Sequence, residues 1–122
     1  MRVLVLDSSG ILPWLVEHTA GKGTVVHAVK TVEEAERVVV ERRPDAAVVS
    51  VPHAMLPWAR FQHLCASQQP PVPVLYESCV HASAREAGID PDDGVSFFLR
   101  APVKHADRAR ALQDLLAVSL AH

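Results

Sequence analysis

The sequence predicts an α/β fold: a five-stranded parallel sheet in the order 2-1-3-4-5, with helices on both faces. Three observations carry that prediction. Short apolar runs rich in β-branched residues alternate with segments of helical spacing along the 122 residues. The runs at residues 3–6 and 45–51 lack the polar alternation of a half-exposed strand, so both of their faces must be covered. The connections are short, and each parallel crossover has to leave the sheet and return right-handed, which a helix does most simply.

The elements follow in order. Residues 3–6 form the first strand, ended by Asp7, Ser8, Ser9 and Gly10. Residues 11–20 place Ile11, Leu12, Leu15 and Val16 at helical spacing, with Pro13 tolerated inside the first turn. Gly21 and Gly23 close that helix and lead into a β-branched second strand at 24–27. Thr31 and Glu34 have the spacing of a capping box, which would satisfy two free N–H groups ahead of Ala35, Val38 and Val39; this helix stops near Arg43, before Pro44. Residues 45–51 are the third strand, and Pro52, His53 and Ala54 a loop. Leu56, Trp58, Phe61, Leu64 and Cys65 then mark a helical face, and residues 68–71 a proline-rich connector. The fourth strand is 72–76, with Glu77, Ser78 and Cys79 at its end; a short helix at 82–87 is closed by Gly88, and 89–94 is an acidic turn. The fifth strand is 95–99, and the last helix, 106–120, turns Ala109, Leu112, Leu115, Leu116 and Leu120 to the core.

Composition narrows the function classes. Hydrophobic residues make up 49% and charged ones 21%, a balance that supports one packed domain over 1–122 and opposes disorder. A net charge of -2 supplies no positive field for a nucleic acid backbone. No apolar run approaches the roughly 20 residues that cross a bilayer, and the N-terminus lacks the pattern of a secretory signal, so the expected location is cytoplasmic. Cys65 and Cys79 have neither CxxC nor disulfide-dense spacing and read as reduced, partly buried thiols.

In a sheet of this order the functional crevice lies beyond the carboxyl ends of the strands, which selects Asp7, Ser8, Ser50, Glu77, Ser78 and Arg100. The segments VLVLDSS, PDAAVVSV, PVLYESC and FFLRAPV, in that order, resemble the strand ends of a response-regulator receiver domain, and the resemblance spans essentially the whole chain. It implies a flavodoxin-like fold and a place in two-component or phosphorelay-type signalling. It also implies a degenerate, pseudo-receiver site. The family's first strand ends in two adjacent acids that hold magnesium, where this chain has Asp7 and then Ser8. The phospho-accepting aspartate is matched by Ser50, and the fourth-strand hydroxyl is kept as Ser78. Arg100 takes the place of the fifth-strand lysine, with Ala101 between it and Pro102, and Phe97 then matches the aromatic switch position. Aligned on Pro102 instead, Ala101 takes the lysine's place and Phe98 the switch.

The chemistry can be weighed without the family. Transfer of a phosphoryl group to an aspartate needs a carboxylate nucleophile and a divalent cation to screen the incoming charge. Ser50 is no such nucleophile and has no base evident in the sequence, so neither a catalytic residue, nor a metal site, nor a cofactor is expected, and magnesium binding is disfavoured, Asp7 being only a remnant. Arg100 is expected to pair with Asp7 or Glu77 and fill the crevice with an ion pair. Plainer roles compete throughout: Asp7 bonding loop amides, Ser50 and Ser78 satisfying local backbone rather than forming an anion pocket, and His53, Cys79, His81 and His105 as titrating side chains rather than a zinc site or Ser/His pair. Trp14 and Trp58 read as core residues. Glu77 sits where a strand wants an apolar side chain, so either the strand ends early or Glu77 has a partner. The last strand and helix, with Phe97, Arg108, Arg110, Gln113 and Asp114, offer a surface for a protein partner or a homodimer. The expected function is therefore a non-enzymatic, phosphorylation-independent protein-interaction module that binds neither nucleic acid nor membrane. A receiver that accepts phosphate through unusual residues, or a domain sensing a small anion or metabolite, is the alternative.

Overall fold

The computed structural model describes residues 1–21, 23–52 and 56–120, apart from the side chains of Leu116, Ser119 and Leu120. Within them the chain runs β1 (Arg2–Leu6), α1 (Ile11–Ala20), β2 (Val25–Val29), α2 (Val32–Arg42), β3 (Ala46–Ser50), α3 (Trp58–Ala66), β4 (Val74–Ser78), β5 (Ser96–Arg100) and α4 (His105–Leu120). The five strands form one parallel sheet in the order β2-β1-β3-β4-β5. That is the predicted topology. The loop residues His53 and Ala54, and the apolar-face assignments of Leu116 and Leu120, lie outside what is described.

Side chains of a strand alternate between faces, and the core divides accordingly. Leu4, Leu6, Ala47, Val49, Val74 and Tyr76 point to the layer formed by α2 and α3. Val3, Val5, Ala46, Val48 and Leu75 point to the layer of α1 and α4, where Leu12, Val16, Leu112 and Leu115 meet them. Trp58 is the largest side chain of the first layer and packs edge-to-face on Tyr76 and Phe61, with ring centroids 5.7 and 6.2 Å away. The edge strands β2 and β5 are only partly covered, and Val25 is exposed. Among the described residues no helix is long and apolar enough to cross a membrane.

Helix α2 owes its start to Thr31, whose Oγ1 accepts from the Glu34 amide at 3.2 Å. The capping box is half made: the Glu34 carboxylate accepts from the Thr31 hydroxyl, 3.2 Å away, in place of the Thr31 amide. Arg43 ends the helix in the left-handed conformation, with Pro44 next.

Several expectations need correction. Residues 82–87 form no regular helix: Ala87 and Gly88 make one turn back to Ala84 and Arg85, and Gly88, at φ +78°, stops it. Ala84, Ala87 and Ile89 are nevertheless buried, so the segment covers the sheet without helical length. The acidic turn after it is held by Asp93 Oδ1, which accepts from the Val95 and Ser96 amides, and by Gln62 of α3, which pairs with both backbone groups of Asp90. Trp14 is not core. It is 63% exposed because the buried stripe of α1 runs through Leu12 and Val16, and a residue two positions from each faces the opposite side. Cys65 is buried, while Cys79 is exposed rather than partly buried; both are free thiols.

Thr31→Ala should cost about 1 kcal/mol, the usual value of an N-cap hydroxyl, and lower the thermal midpoint by a few degrees without altering the circular dichroism of the folded state.

Candidate functional site

The carboxyl ends of β1 and β3 open on a cavity of about 320 Å³ at the point where the crossovers to β2 and β4 diverge. Ser8 and Ser50 line it, together with the start of α2 and the approach to α3. Asp7, Glu77 and Ser78 are engaged elsewhere, and Arg100 is exposed at the sheet edge.

Asp7 is buried and serves helix α1. Gly10 opens that helix at φ +81°, a conformation natural only to glycine, and carries no side chain to cap it. Asp7 supplies the missing acceptor. Its Oδ2 takes the Leu12 amide at 2.8 Å and the Ser9 hydroxyl at 2.7 Å, and its Oδ1 takes the Ser9 amide at 3.0 Å. Burial by itself would raise the Asp7 pKa, but the Leu12 amide and the Ser9 hydroxyl and amide outweigh it and hold the carboxyl below its ordinary range. The expected bonding to loop amides is thus present.

Glu77 has a partner, and it is not Arg100. Arg108 of α4 reaches the strand with a two-pronged contact, Nε to Oε2 at 2.9 Å and Nη2 to Oε1 at 2.7 Å, both side chains 7% exposed. Arg108 therefore leaves the surface on which the sequence had placed it. Its position explains why: Leu112 and Leu115 follow at four and seven residues, so Arg108 lies on the apolar stripe of α4. Spacing along that stripe, together with the lone acid in β4, is the signal that could have matched the two. Arg100, at the end of edge strand β5, is exposed, and the expected pairing with Asp7 or Glu77 does not occur because Asp7 is satisfied by the loop and first turn of α1 and Glu77 by Arg108 of α4.

Ser78 is fully buried and ends β4 as a turn. Its Oγ accepts from the Val80 and His81 amides at 3.3 and 3.1 Å and lies 2.8 Å from His81 Nδ1. His105 is elsewhere, at the start of α4 against Thr19 and His18 of α1. His53 is outside the described residues. Phe97 packs with the α1–α4 layer, whereas Phe98 packs with the layer of α2 and α3.

The strand-end residues do not fit a magnesium ion. Such an ion is usually held through one or two carboxylates, and the one carboxylate here, Asp7, already accepts from the Ser9 amide and hydroxyl and the Leu12 amide, while Ser8 and Ser50 bring none. Among the described residues, no three histidine, cysteine or carboxylate side chains stand close enough to share a metal.

Truncating one partner of the buried pair leaves the other charged and unmatched. Arg108→Ala and Glu77→Ala should each cost about 3–5 kcal/mol in denaturant unfolding, while replacing both by apolar residues of similar volume should restore most of the loss. For Asp7 the sign follows from its lowered pKa: its stabilising effect is complete above the unfolded value near pH 4 and fades as the pH falls through the folded value. Asp7→Ala should lower stability at pH 7 by about 1–3 kcal/mol, and thermal melts should find the gap to the parent protein narrowing in acid.

No protein-family model matches the chain, and no curated protein matches it in sequence. Solved structures do match in fold. The signal receiver domain of a LuxO repressor protein from Vibrio parahaemolyticus aligns at a TM-score of 0.78 and 15% identity over 98% of this chain and 92% of that one. The chemotaxis response regulator CheY4 of Vibrio cholerae aligns at 0.74 and 21% identity, over 94% and 98%. An orphan response regulator of H. pylori aligns at 0.73 and 20%, over 95% and 96%. Five parallel strands in the order 2-1-3-4-5, with these helices on either side, give the chain the flavodoxin-like fold of response-regulator receiver domains.

Proposed function

We propose that the chain is a cytoplasmic, phosphorylation-independent receiver module of two-component-type signalling, which works by docking a protein partner and catalyses nothing itself. The observation that carries this reading is the fate of Asp7. Both of its oxygens are bound to the loop and first turn of α1, and the residues left beside the crevice, Ser8 and Ser50, offer hydroxyls where phosphoryl transfer needs carboxylates. The buried Glu77–Arg108 pair adds to it, since it ties β4 to α4 with fixed charges and leaves no acid of β4 for a cation.

The docking surface in this reading is the face of β5 and α4, where half-buried Phe97 and Leu99 lie beside the exposed Asp107, Arg110 and Asp114, with Gln113 exposed on the same helix. Mixed charges around an apolar strip suit a specific protein contact, with a partner or with a second copy, better than a nucleic acid or a membrane.

Titration of the isotope-labelled domain with magnesium and beryllofluoride tests the proposal. Amide resonances of Asp7, Ser50, Ser78 and Arg100 should not move, and Ser8→Asp combined with Ser50→Asp should not restore binding while Asp7 remains tied to α1. Saturable shifts in the unaltered protein, spreading to Phe97 and α4, would mean that a phosphorylation switch survives and would overturn it.

A further inference from the structure

The geometry points to the crevice cavity as a binding site for a small, mainly apolar molecule that carries at most one charge. This goes beyond docking through β5 and α4 and does not depend on it. The cavity is of the size of small-molecule sites, which begin near roughly 300 Å³, and it has their kind of lining: mainly apolar surface with hydroxyl and charged groups among it. Leu6, Val32 and Trp58, all buried, form its floor, and Leu56 and Pro57 extend the apolar wall. The half-buried Ser50 and the exposed Ser8 bring two hydroxyls, each able to donate and to accept a hydrogen bond.

The charges define what the site takes. Arg60 is held in a two-pronged contact by Glu36, with Nε 3.0 Å from Oε2, so its charge is already matched. Lys30 and Glu33, both exposed, stand at the rim with opposite signs. The lining is thus close to neutral. A phosphate carries close to two negative charges and would meet one cation and one acid at the rim, which leaves it undercompensated. A neutral ring, or one with a single carboxylate directed at Lys30, can bury its apolar part against Leu6, Val32 and Leu56 while its polar end bonds to Ser8 and Ser50. The hydroxyls favour this occupant because burying them beside an apolar ligand costs far less than burying carboxylates.

Two probes separate the classes: indole, which is neutral and apolar, and benzoate, which adds one negative charge. Either should shift the amides of Ser8, Lys30, Ser50 and Trp58 saturably. Ser50→Leu, which fills the cavity from its floor, should weaken the response roughly tenfold or more, the equivalent of about 1.4 kcal/mol. Ser8→Leu, at an exposed position that the fold tolerates, should do the same and decides the matter if Ser50→Leu fails to fold. Lack of saturable shifts with both probes, or shifts that persist in the leucine variants, would overturn the assignment. So would tighter binding of inorganic phosphate than of benzoate at the same amides. None of these outcomes touches the beryllofluoride result, so the two proposals fail separately.

Discussion

The structure depends on covering the middle of the sheet from both sides. β1, β3 and β4 are hydrogen-bonded to neighbours along both edges and buried on both faces, so almost every side chain they carry must be apolar, and two separate helical layers must supply matching stripes. Leu12 and Val16 of α1 with Leu112 and Leu115 of α4 do this on one side, and α2 and α3 do it on the other. A charge in such a strand is tolerated only with a partner that enters the same layer. Glu77 is that charge, and Arg108, displaced from solvent by its place on the apolar stripe of α4, is the partner. The pair is neutral as a unit and unforgiving of change in either half.

At the carboxyl ends of the strands the chain leaves the sheet, and its polar groups have to be satisfied over very few residues. This is where the chemistry of a receiver would reside, and here local bonding has claimed most of it. Asp7 supplies the cap that Gly10 cannot give α1, and Ser78 closes the turn after β4 with His81. The two positions without such duties, Ser8 and Ser50, face the cavity. Ser8 and Ser50 bring hydroxyls and no charge to the crevice, which lowers its polarity. The proposed phosphorylation-independent module and the proposed neutral ligand site both rest on hydroxyls at these two positions, through different physical arguments.

Much of the architecture was legible in the residues. Thr31 marked the start of α2 because an N-cap acts through its immediate neighbours, and the apolar run of residues 46–49 marked a strand covered on both sides. The turn at residues 82–88 was harder to read, since alanines that face the core look helical whether or not a second turn follows, and Gly88 arrives before one can form. Trp14 misled for the opposite reason: ring size suggested the core, while its angular position on α1 put it in solvent.

The sequence by itself determined the class of fold, the order of its strands and the hydroxyl character of Ser8 and Ser50, because strand pattern, capping and residue identity are local properties. Only the tertiary structure decided which charges meet. Glu77 was visibly in need of a partner, but the sequence pointed to Arg100, close along the sheet, and left Arg108, 31 residues away on another element, on the outer surface; only α4 laid across β4 brings Arg108 to Glu77. The same packing set Asp7 against α1 and left a cavity between β1 and β3. Ion pairs and cavities are properties of three-dimensional distance, which the linear order of residues does not encode without the fold.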